Sequence, residues 1–198
     1  MHYTGKLVLA GLLAMGLQAC GEREAANAPA PTDTQSGDTA QREEAQRFTV
    51  LVGGTEIGAL NVTPTENGYA IDYEYRNNGR GPTILETVTL DDAGLPTAWT
   101  IEGASTFGNP IDETFEFRDN QASWTDSTGS EEAVLENPAF YVPNDGSPYW
   151  LAIAARALIE AQDMTLSALP GGTLRLAEID QLSVSNGEDS RDVVAWAL

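Results

Sequence analysis

The stretch YAIDYEYRNNGRGPTILETVTL, residues 69–90, contains two strand-like runs with turn-forming residues between them. In the first run an aromatic or aliphatic side chain recurs at every second position, which is the period of a strand that buries one face. Asn78-Gly79 is a strong hairpin signal because both residues tolerate positive φ. Gly81-Pro82 then favours extended backbone at Gly81 and delays the second strand. The stretch therefore predicts a β-hairpin.

The same rhythm of short strand-like runs and turn residues continues through residues 47–198, a body long enough for one domain with a core. We predict a mainly β fold, in which a curved antiparallel sheet resembles a half-barrel or a clamp. The predicted strands are RFTVLV, ALNVT, YAIDYEY, TILETVTL, TAWTIEG, ETFEFR, ASWTD, TLRLAEI, QLSVS and RDVVAWAL.

One segment, SPYWLAIAARALIEAQ at residues 147–162, has a helical period and predicts a helix over residues 148–162. Ser147 is the expected N-cap, and Pro148 suits the first helical position because its missing N–H costs nothing there. We expect an apolar stripe to pack across the concave face of the sheet, and the alternative is that this stripe binds a partner. The stripe consists of Leu151, Ala154, Ala155, Leu158 and Ile159.

The N-terminal residues predict export and lipid attachment. The apolar run after Lys6 is too short to span a bilayer, so residues 1–19 are predicted to be a signal peptide. LQAC at residues 17–20 resembles the lipobox of bacterial lipoproteins, which implies a lipid anchor on Cys20. An ordinary signal peptide with an incidental cysteine is the alternative. Residues 20–46 predict a disordered, acidic and proline-rich tether. Because residue 21 is Gly and not Asp, we expect an outer-membrane location facing the periplasm.

Composition restricts the chemistry that the chain can perform. The 30 acidic and 10 basic residues give a net charge of −20, which argues against nucleic acid as a partner. Cys20 is the only cysteine and His2 the only histidine, and both lie at or before the predicted cleavage site. The mature body therefore has no disulfide, thiol nucleophile, Ser-His-Asp triad or His-ligated metal site. Carboxylate, hydroxyl, tyrosine, arginine and backbone groups remain.

The connection between the two strands of residues 69–90 is a candidate structural or contact loop. It comprises Asn77, Asn78, Gly79 and Arg80. In the simplest interpretation it is a hairpin corner whose Arg80 pairs with a carboxylate of the fold. The alternative is that Arg80 contacts an external anion or partner. Phosphate binding is disfavoured because the loop lacks the GxxxxGK[ST] pattern and leads into a strand.

Carboxylates are the weaker candidates for chemistry. Asp72 and Glu74, or Asp112, Glu113 and Glu116, could supply an acid and a base, but with 30 acidic residues such pairs are expected by chance. The oxygen-rich loops at residues 126–132 and 144–147 lack the spacing of an EF-hand, so calcium is a weak hypothesis. The large aromatic residues are expected in the core and not on a ligand platform. They include Trp99, Trp124, Trp150, Trp196, Phe107, Phe115 and Phe117.

A set of many short elements resembles a known family. The elements are Asn77-Asn78-Gly79-Arg80-Gly81-Pro82, Glu86, Gly94-x-Pro96, Trp99, Gly103, Phe107-Gly108, Asp112-Glu113, Trp124-x-x-Ser127, YVPNDGSPYWLAIAARALI and LPGGTLRLAEI. Together they resemble the N-terminal β-rich region of secreted bacterial amidohydrolases, in the imidazolonepropionase-like branch of metal-dependent hydrolases. The resemblance covers nearly all of residues 48–198 and includes no single catalytic motif.

The resemblance implies a domain without its catalytic half. In that family this region precedes a (β/α)₈ barrel, which binds its metal through a His-x-His pair, further histidines and an aspartate. None of these ligands can be assigned here, so the resemblance implies no catalytic residue, metal ligand or cofactor in this chain. A zinc-type metal would belong to the absent barrel, which is the expected partner. The apolar end VVAWAL suggests a truncated or split gene product, or a domain that exists alone.

Three functions stay open at this point. The first is a lipid-anchored accessory domain of the cell envelope that is not catalytic by itself. The second is a stand-alone periplasmic binding lipoprotein with an apolar groove. The third is a carboxylate-based hydrolase that uses Asp112 or Glu113. Whether the chain is an enzyme is therefore left undecided by the sequence.

Overall fold

The computed structural model describes residues 44–185, 187 and 189–198. The predicted signal peptide, the lipid anchor on Cys20 and nearly all of the predicted tether lie outside these residues. Within the described ranges, no helix has the length and apolar character that a bilayer span requires.

The main element is an antiparallel sheet of eight strands, in which each strand pairs with its neighbour in the chain. This confirms the predicted mainly β, antiparallel fold and the hairpin over residues 69–90. The strands are β1 (Gln46–Val52), β2 (Thr55–Pro64), β3 (Gly68–Tyr75), β4 (Thr83–Leu90), β5 (Pro96–Ala104), β6 (Pro110–Arg118), β7 (Gln121–Asp126) and β8 (Gly129–Val134). β8 was not predicted, because its residues were interpreted as part of an oxygen-rich loop.

The second half of the chain contributes a helix and two smaller sheets. β9, β10 and β11 form a three-stranded sheet in which β9 and β10 are parallel, and β12 pairs with β13 as an antiparallel hairpin. The predicted strand TLRLAEI is divided at the buried Leu176. The elements are β9 (Phe140–Tyr141), α1 (Trp150–Glu160), a 3₁₀ helix (Gln162–Met164), β10 (Thr165–Leu169), β11 (Thr173–Arg175), β12 (Ala177–Ser185) and β13 (Ser190–Ala197).

The two faces of the eight-stranded sheet differ sharply in polarity. Paired residues on neighbouring strands point to the same face, so each cross-strand row lies on one face of the sheet. The row on the core side is Val62, Ile71, Glu86, Ile101 and Glu113. The next row, on the outer side, is Thr63, Ala70, Thr87, Thr100, Thr114, Thr125 and Ser130. The two-residue period therefore separates a core face from a hydroxyl-rich outer face.

Helix α1 packs on the core face of the sheet, since residues of both elements share one buried cluster. The ring of Tyr149 lies 5.4 Å from the ring of Tyr69 on β3, in an edge-on arrangement. Arg156 donates to both phenol oxygens, at 2.7 Å to Tyr69 and 3.1 Å to Tyr149. These contacts fix the helix over strands that are distant from it in sequence.

The buried side of α1 differs from the predicted stripe. Ala154 and Leu158 are buried as expected, but Leu151 and Ile159 are exposed, while Ile153 and Ala157 are buried instead. The helix is apolar on most of its circumference, so its period alone does not decide which side meets the sheet. The buried positions i, i+1, i+4 and i+5 form a stripe as regular as the predicted one.

The helix start was also predicted wrongly. α1 begins at Trp150, its N-cap is Tyr149, and that residue forms no side-chain capping hydrogen bond. Ser147 lies one turn earlier, where its carbonyl accepts from the Trp150 N–H. The expected core aromatics Trp99, Trp124 and Phe115 are buried, whereas Phe107 and Trp196 are not.

Replacing Ile153 with Ala tests the position of the helix face. Ile153 is 1 % exposed, so I153A removes methyl groups from the interface between helix and sheet and leaves a cavity. We expect the free energy of unfolding in urea to fall by about 2 to 5 kcal/mol. The matched control is L151A, at a side chain 44 % exposed, which should change it by less than about 1 kcal/mol. Equal losses would contradict the observed orientation.

Candidate functional site

Two glutamates lie on the core face of the sheet, beneath the segment that leads into α1. Glu86 on β4 is 3 % exposed and Glu113 on β6 is 1 % exposed, and Ile101 on β5 separates them in the same row. Burying a carboxylate is costly unless donors replace its water shell. The donors around each glutamate therefore decide what these groups can do.

Glu113 accepts three hydrogen bonds. Its Oε1 accepts from the Tyr141 hydroxyl at 2.8 Å and the Asn144 N–H at 2.9 Å, and its Oε2 accepts from the Asp145 N–H at 2.8 Å. Tyr141 is held in place by stacking on Phe115, with ring centroids 4.4 Å apart. Burial, followed by the hydrogen bond to Glu113 and its charge, raises the pKa of Tyr141, so its hydroxyl stays a donor.

Glu86 accepts hydrogen bonds at both oxygens. The Trp99 indole N–H donates to Oε2 at 2.9 Å, and the Ser147 N–H donates to Oε1 at 2.5 Å. Burial raises the pKa of Glu86, the hydrogen bonds from Ser147 and Trp99 oppose that rise, and the charge of Glu113 adds to it. The buried Ser147 hydroxyl lies close to this carboxyl but makes no hydrogen bond of ordinary geometry within the described residues.

Together the two glutamates hold the backbone of residues 144–147. Three N–H groups of this segment, from Asn144, Asp145 and Ser147, point at carboxylate oxygens. We call this arrangement the carboxylate clamp. In it the segment directs its backbone N–H donors, and not its oxygen atoms, at the two glutamate carboxylates. It therefore differs from the cation-binding loop considered for residues 144–147, and it fixes the entry into α1.

The predicted acid–base pair is not assembled. Asp112 and Glu113 are adjacent on β6, so their side chains point to opposite faces, and Asp112 is exposed on the outer side. Asp72 and Glu74 are exposed on either side of Tyr73 in β3. In the described part of the chain, no group of three or more His, Cys, Asp or Glu residues is arranged to hold a metal ion.

The oxygen-rich loop at residues 126–132 is a tight hairpin turn followed by β8. Asp126 accepts from the N–H and the hydroxyl of Thr128, both at 2.6 Å. Mainly through the hydroxyl hydrogen bond, Thr128 lowers the pKa of Asp126. The carboxylate thus stabilises the turn that joins β7 to β8.

The candidate loop at residues 77–80 is the predicted hairpin corner. Asn77 and Arg80 form a bridge, with backbone hydrogen bonds of 2.7 and 3.0 Å. Asn78 and Gly79 between them have φ values of 52° and 77°, as a two-residue turn with positive φ at both positions requires. All four residues are exposed. The Asn78-Gly79 signal was therefore interpreted correctly.

The arginine that fixes the corner is Arg76 and not Arg80. Its Nη1 donates to the carbonyls of Tyr75, Gly81 and Pro82 at 2.8 to 2.9 Å, and its Nη2 donates to the Thr83 hydroxyl at 2.8 Å. A 3.0 Å ion pair with Glu74 completes the set. Arg80 has no side-chain partner among the residues that the structure describes. The expected pairing of Arg80 with a carboxylate of the fold is not observed among the described residues.

A groove lies between this corner and the turn that joins β5 to β6. The two connections lie at the same end of the strands, because Thr83 at the start of β4 pairs with Ala104 at the end of β5. We call it the corner groove; it is open to solvent and has a volume of about 460 Å³. Its main lining residues are Arg76, Gly79, Arg80, Thr83, Ser105 and Phe107.

The carboxylate clamp was missed from the sequence, although a signal was present. Glu86 occupies the apolar phase of β4, between Ile84 and Val88, and Glu113 has the same phase on β6, between Ile111 and Phe115. An acidic residue at such a position must be buried with the strand. A period analysis that marks acidic residues at positions of the apolar phase would have selected both glutamates.

The raised pKa of Glu86 predicts a pH dependence of stability. The protonated Glu86 side chain contributes to the free energy of unfolding. This contribution is fully present below the ordinary glutamate pKa of 4.5 and is lost as the pH rises through the raised pKa of the folded state. We expect the unfolding free energy of the wild type, minus that of E86Q, to decrease as the pH rises above 4.5. Urea unfolding at each pH measures the difference, and the other carboxylates largely cancel in it. An increase with pH would contradict the burial of this group.

Replacing Glu113 with Gln tests the clamp directly. The amide offers one oxygen where two accept, so a backbone or phenol donor would face an NH₂ group. We expect E113Q to lower the free energy of unfolding by about 2 to 4 kcal/mol. D112N, the corresponding acid-to-amide substitution at the exposed neighbouring residue, should change the free energy of unfolding by less than about 0.5 kcal/mol. An E113Q protein as stable as D112N would show that the clamp contributes little.

Comparison with known proteins finds no relative: no protein-family model, no curated protein and no solved structure matches the chain.

Proposed function

We propose that this chain is a lipid-anchored accessory domain of the cell envelope that docks on a catalytic barrel and performs no catalysis by itself. The observation that carries the proposal is the β12–β13 hairpin, which presents apolar side chains to solvent. The proposed partner is an amidohydrolase-type barrel, and the proposed anchor is the lipid on Cys20. Both rest on the sequence resemblances described above.

The hairpin is exposed along its whole length. Every described residue of β12, and all but one of β13, is exposed. The buried core cluster of the described residues includes no side chain from either strand. The exposed apolar residues are Ile179, Leu182, Val184, Val193, Val194 and Trp196.

The apolar side chains of this hairpin would be stabilised by a partner that buries them. Leu182 is paired with Val193 on one face, while Val194 and Trp196 point to the other. Apolar residues on both faces are typical of strands that are covered on both sides. An isolated two-stranded hairpin is at best marginally stable in water. A partner that buries both faces would supply the missing stabilisation, with the Trp196 indole as a candidate anchor residue.

The body of the domain supports a non-catalytic role. It contains neither cysteine nor histidine, and the carboxylates of its clamp are buried and engaged by donors from the fold. A general acid or base must reach a substrate proton, which neither Glu86 nor Glu113 does in this arrangement. Asp112, the exposed residue of the considered pair, lies on the other face of the sheet from Glu113, and its cross-strand neighbour is the exposed Glu102 on β5.

The binding-lipoprotein alternative is less well supported. It requires an open apolar groove on the concave face, but Val88, Trp99 and Ile101 on the core face are almost completely buried. Helix α1 and this face share one core. A cavity for an apolar ligand would require α1 to move away from the sheet.

Docking can be tested with an amidohydrolase-type barrel carrying a His-x-His pair, taken from the same genome. We expect the full chain to bind this barrel, and W196A to weaken binding at least about tenfold through loss of an aromatic anchor. Isothermal titration calorimetry measures the dissociation constants. The matched control is L85A, at an exposed apolar residue on the outer face of β4, which should bind like the wild type.

Two results would contradict the proposal. One is binding that W196A and L85A reduce equally, since the hairpin would then not be the docking element. The other is robust hydrolysis of amide or ester substrates by the purified chain alone, with zinc or manganese added, since the domain would then be catalytic.

A further inference from the structure

We propose that the corner groove binds a carboxylate that is carried next to an apolar group. The Arg80 guanidinium would hold the carboxylate and the Phe107 ring would pack against the apolar group. This site is separate from the β12–β13 hairpin in the residues it uses. The proposal therefore stands or falls independently of docking on a barrel.

The groove is a basic site on an acidic protein. Its ten lining residues include two arginines and no aspartate or glutamate. In the whole chain the acidic residues outnumber the basic ones by 30 to 10. Glu74, outside the lining, pairs with Arg76, so the positive charge that no described acid pairs with is that of Arg80, and it favours an anionic ligand over a cationic one.

Arg80 is available to that ligand because Arg76, and not Arg80, donates the hydrogen bonds to the carbonyl groups of the corner. Arg76 already donates to three carbonyls and one hydroxyl of the corner and pairs with Glu74. Arg80 makes no side-chain hydrogen bond or ion pair among the described residues. Arg175 and Arg191 share that property in the described ranges, but they lie on β11 and β13, outside the groove.

Phe107 supplies an apolar wall of the groove that Arg80 also lines. The ring is 78 % exposed at the tip of the β5–β6 connection. That turn is ordered by backbone hydrogen bonds from the Gly108 N–H to the Ser105 carbonyl, and from the Ser105 N–H to the Asn109 carbonyl. A single exposed aromatic is unremarkable by itself. Beside an unpaired arginine it defines a ligand with an anionic and an apolar part.

The backbone of the corner is set before any ligand arrives. Gly81 allows its close approach to Tyr75, since a Cβ at this position would lie 1.9 Å from the Tyr75 carbonyl oxygen. The Asn78-Gly79 turn then places Arg80 next to Gly81. A groove whose walls are already fixed loses little conformational entropy on binding, apart from the Arg80 side chain itself.

A carboxylate fits the site better than a phosphate. The planar guanidinium matches a carboxylate with two parallel hydrogen bonds, and Arg80 is the one guanidinium of the groove without a described partner. A phosphate dianion would be repelled more strongly than a monoanion by a protein of charge −20. The corner also leads into β4, so no helix N-terminus is directed at the ligand. The ligand class is a chain-end or small-molecule carboxylate with an adjacent apolar side chain.

The test uses N-acetyl-L-phenylalanine, its C-terminal amide and acetyl-Ala-Ala-Phe with a free carboxylate. Each is titrated into the ¹⁵N-labelled full chain in detergent, and ¹H–¹⁵N correlation spectra record backbone and arginine Nε–H signals. We expect the acids to shift signals of residues 76–83 and 104–108 and the Arg80 Nε–H. The amide should shift them far less. Tighter binding of the tripeptide would identify a peptide chain end, and equal binding a small carboxylate.

Three variants complete the experiment. R80Q should weaken binding of the acids at least about tenfold, because a charge-assisted hydrogen-bonded pair is lost. F107A should weaken it several-fold. R175Q makes the same charge change at an exposed arginine outside the groove and should leave binding unchanged. The proposal is overturned if acid and amide bind alike, if R80Q binds like R175Q, or if no shifts arise in the groove.

Discussion

The hydrogen bonds from the backbone of residues 144–147 to Glu86 and Glu113 hold the two halves of this domain together. The sheet is built from hairpins between chain neighbours, whereas α1 and the strands after it come from a separate stretch of sequence. The carboxylate clamp joins the two, because its acceptors belong to β4 and β6 and its donors to the segment before the helix. The apolar contacts between α1 and the core face lie next to this segment in the chain.

The clamp also shows how a highly acidic chain can bury acids without basic partners. The excess of carboxylates leaves few arginines for each, and those observed in ion pairs bind exposed glutamates. The buried glutamates are satisfied instead by N–H and O–H dipoles. Neutral hydrogen-bond donors compensate only part of the burial of an ionised Glu86, in line with its raised pKa. Part of the free energy of folding is therefore linked to the protonation of Glu86.

The sequence predicted the local structure well where two signals agreed. The hairpin of β3 and β4 combines a two-residue period with an Asn-Gly turn, and both were observed. β9 has only two residues and β10 only five, too few for a period to be visible. The face of α1 was ambiguous because the helix is apolar on most sides. The choice between Arg76 and Arg80 depends on carbonyl positions in the folded corner, which no sequence pattern specifies.

The connectivity of the sheet has a consequence for the order in which the domain assembles. Each strand from β2 to β8 pairs with the strand just before it, so the sheet can grow one hairpin at a time as the chain emerges, with only short loops to close. The clamp is different: its links span from 31 residues, between Asn144 and Glu113, to 61 residues, between Ser147 and Glu86. Until residue 147 is available, the core face of the sheet, with its two carboxylates, is open to water. Closure of the clamp links this face to the segment before α1.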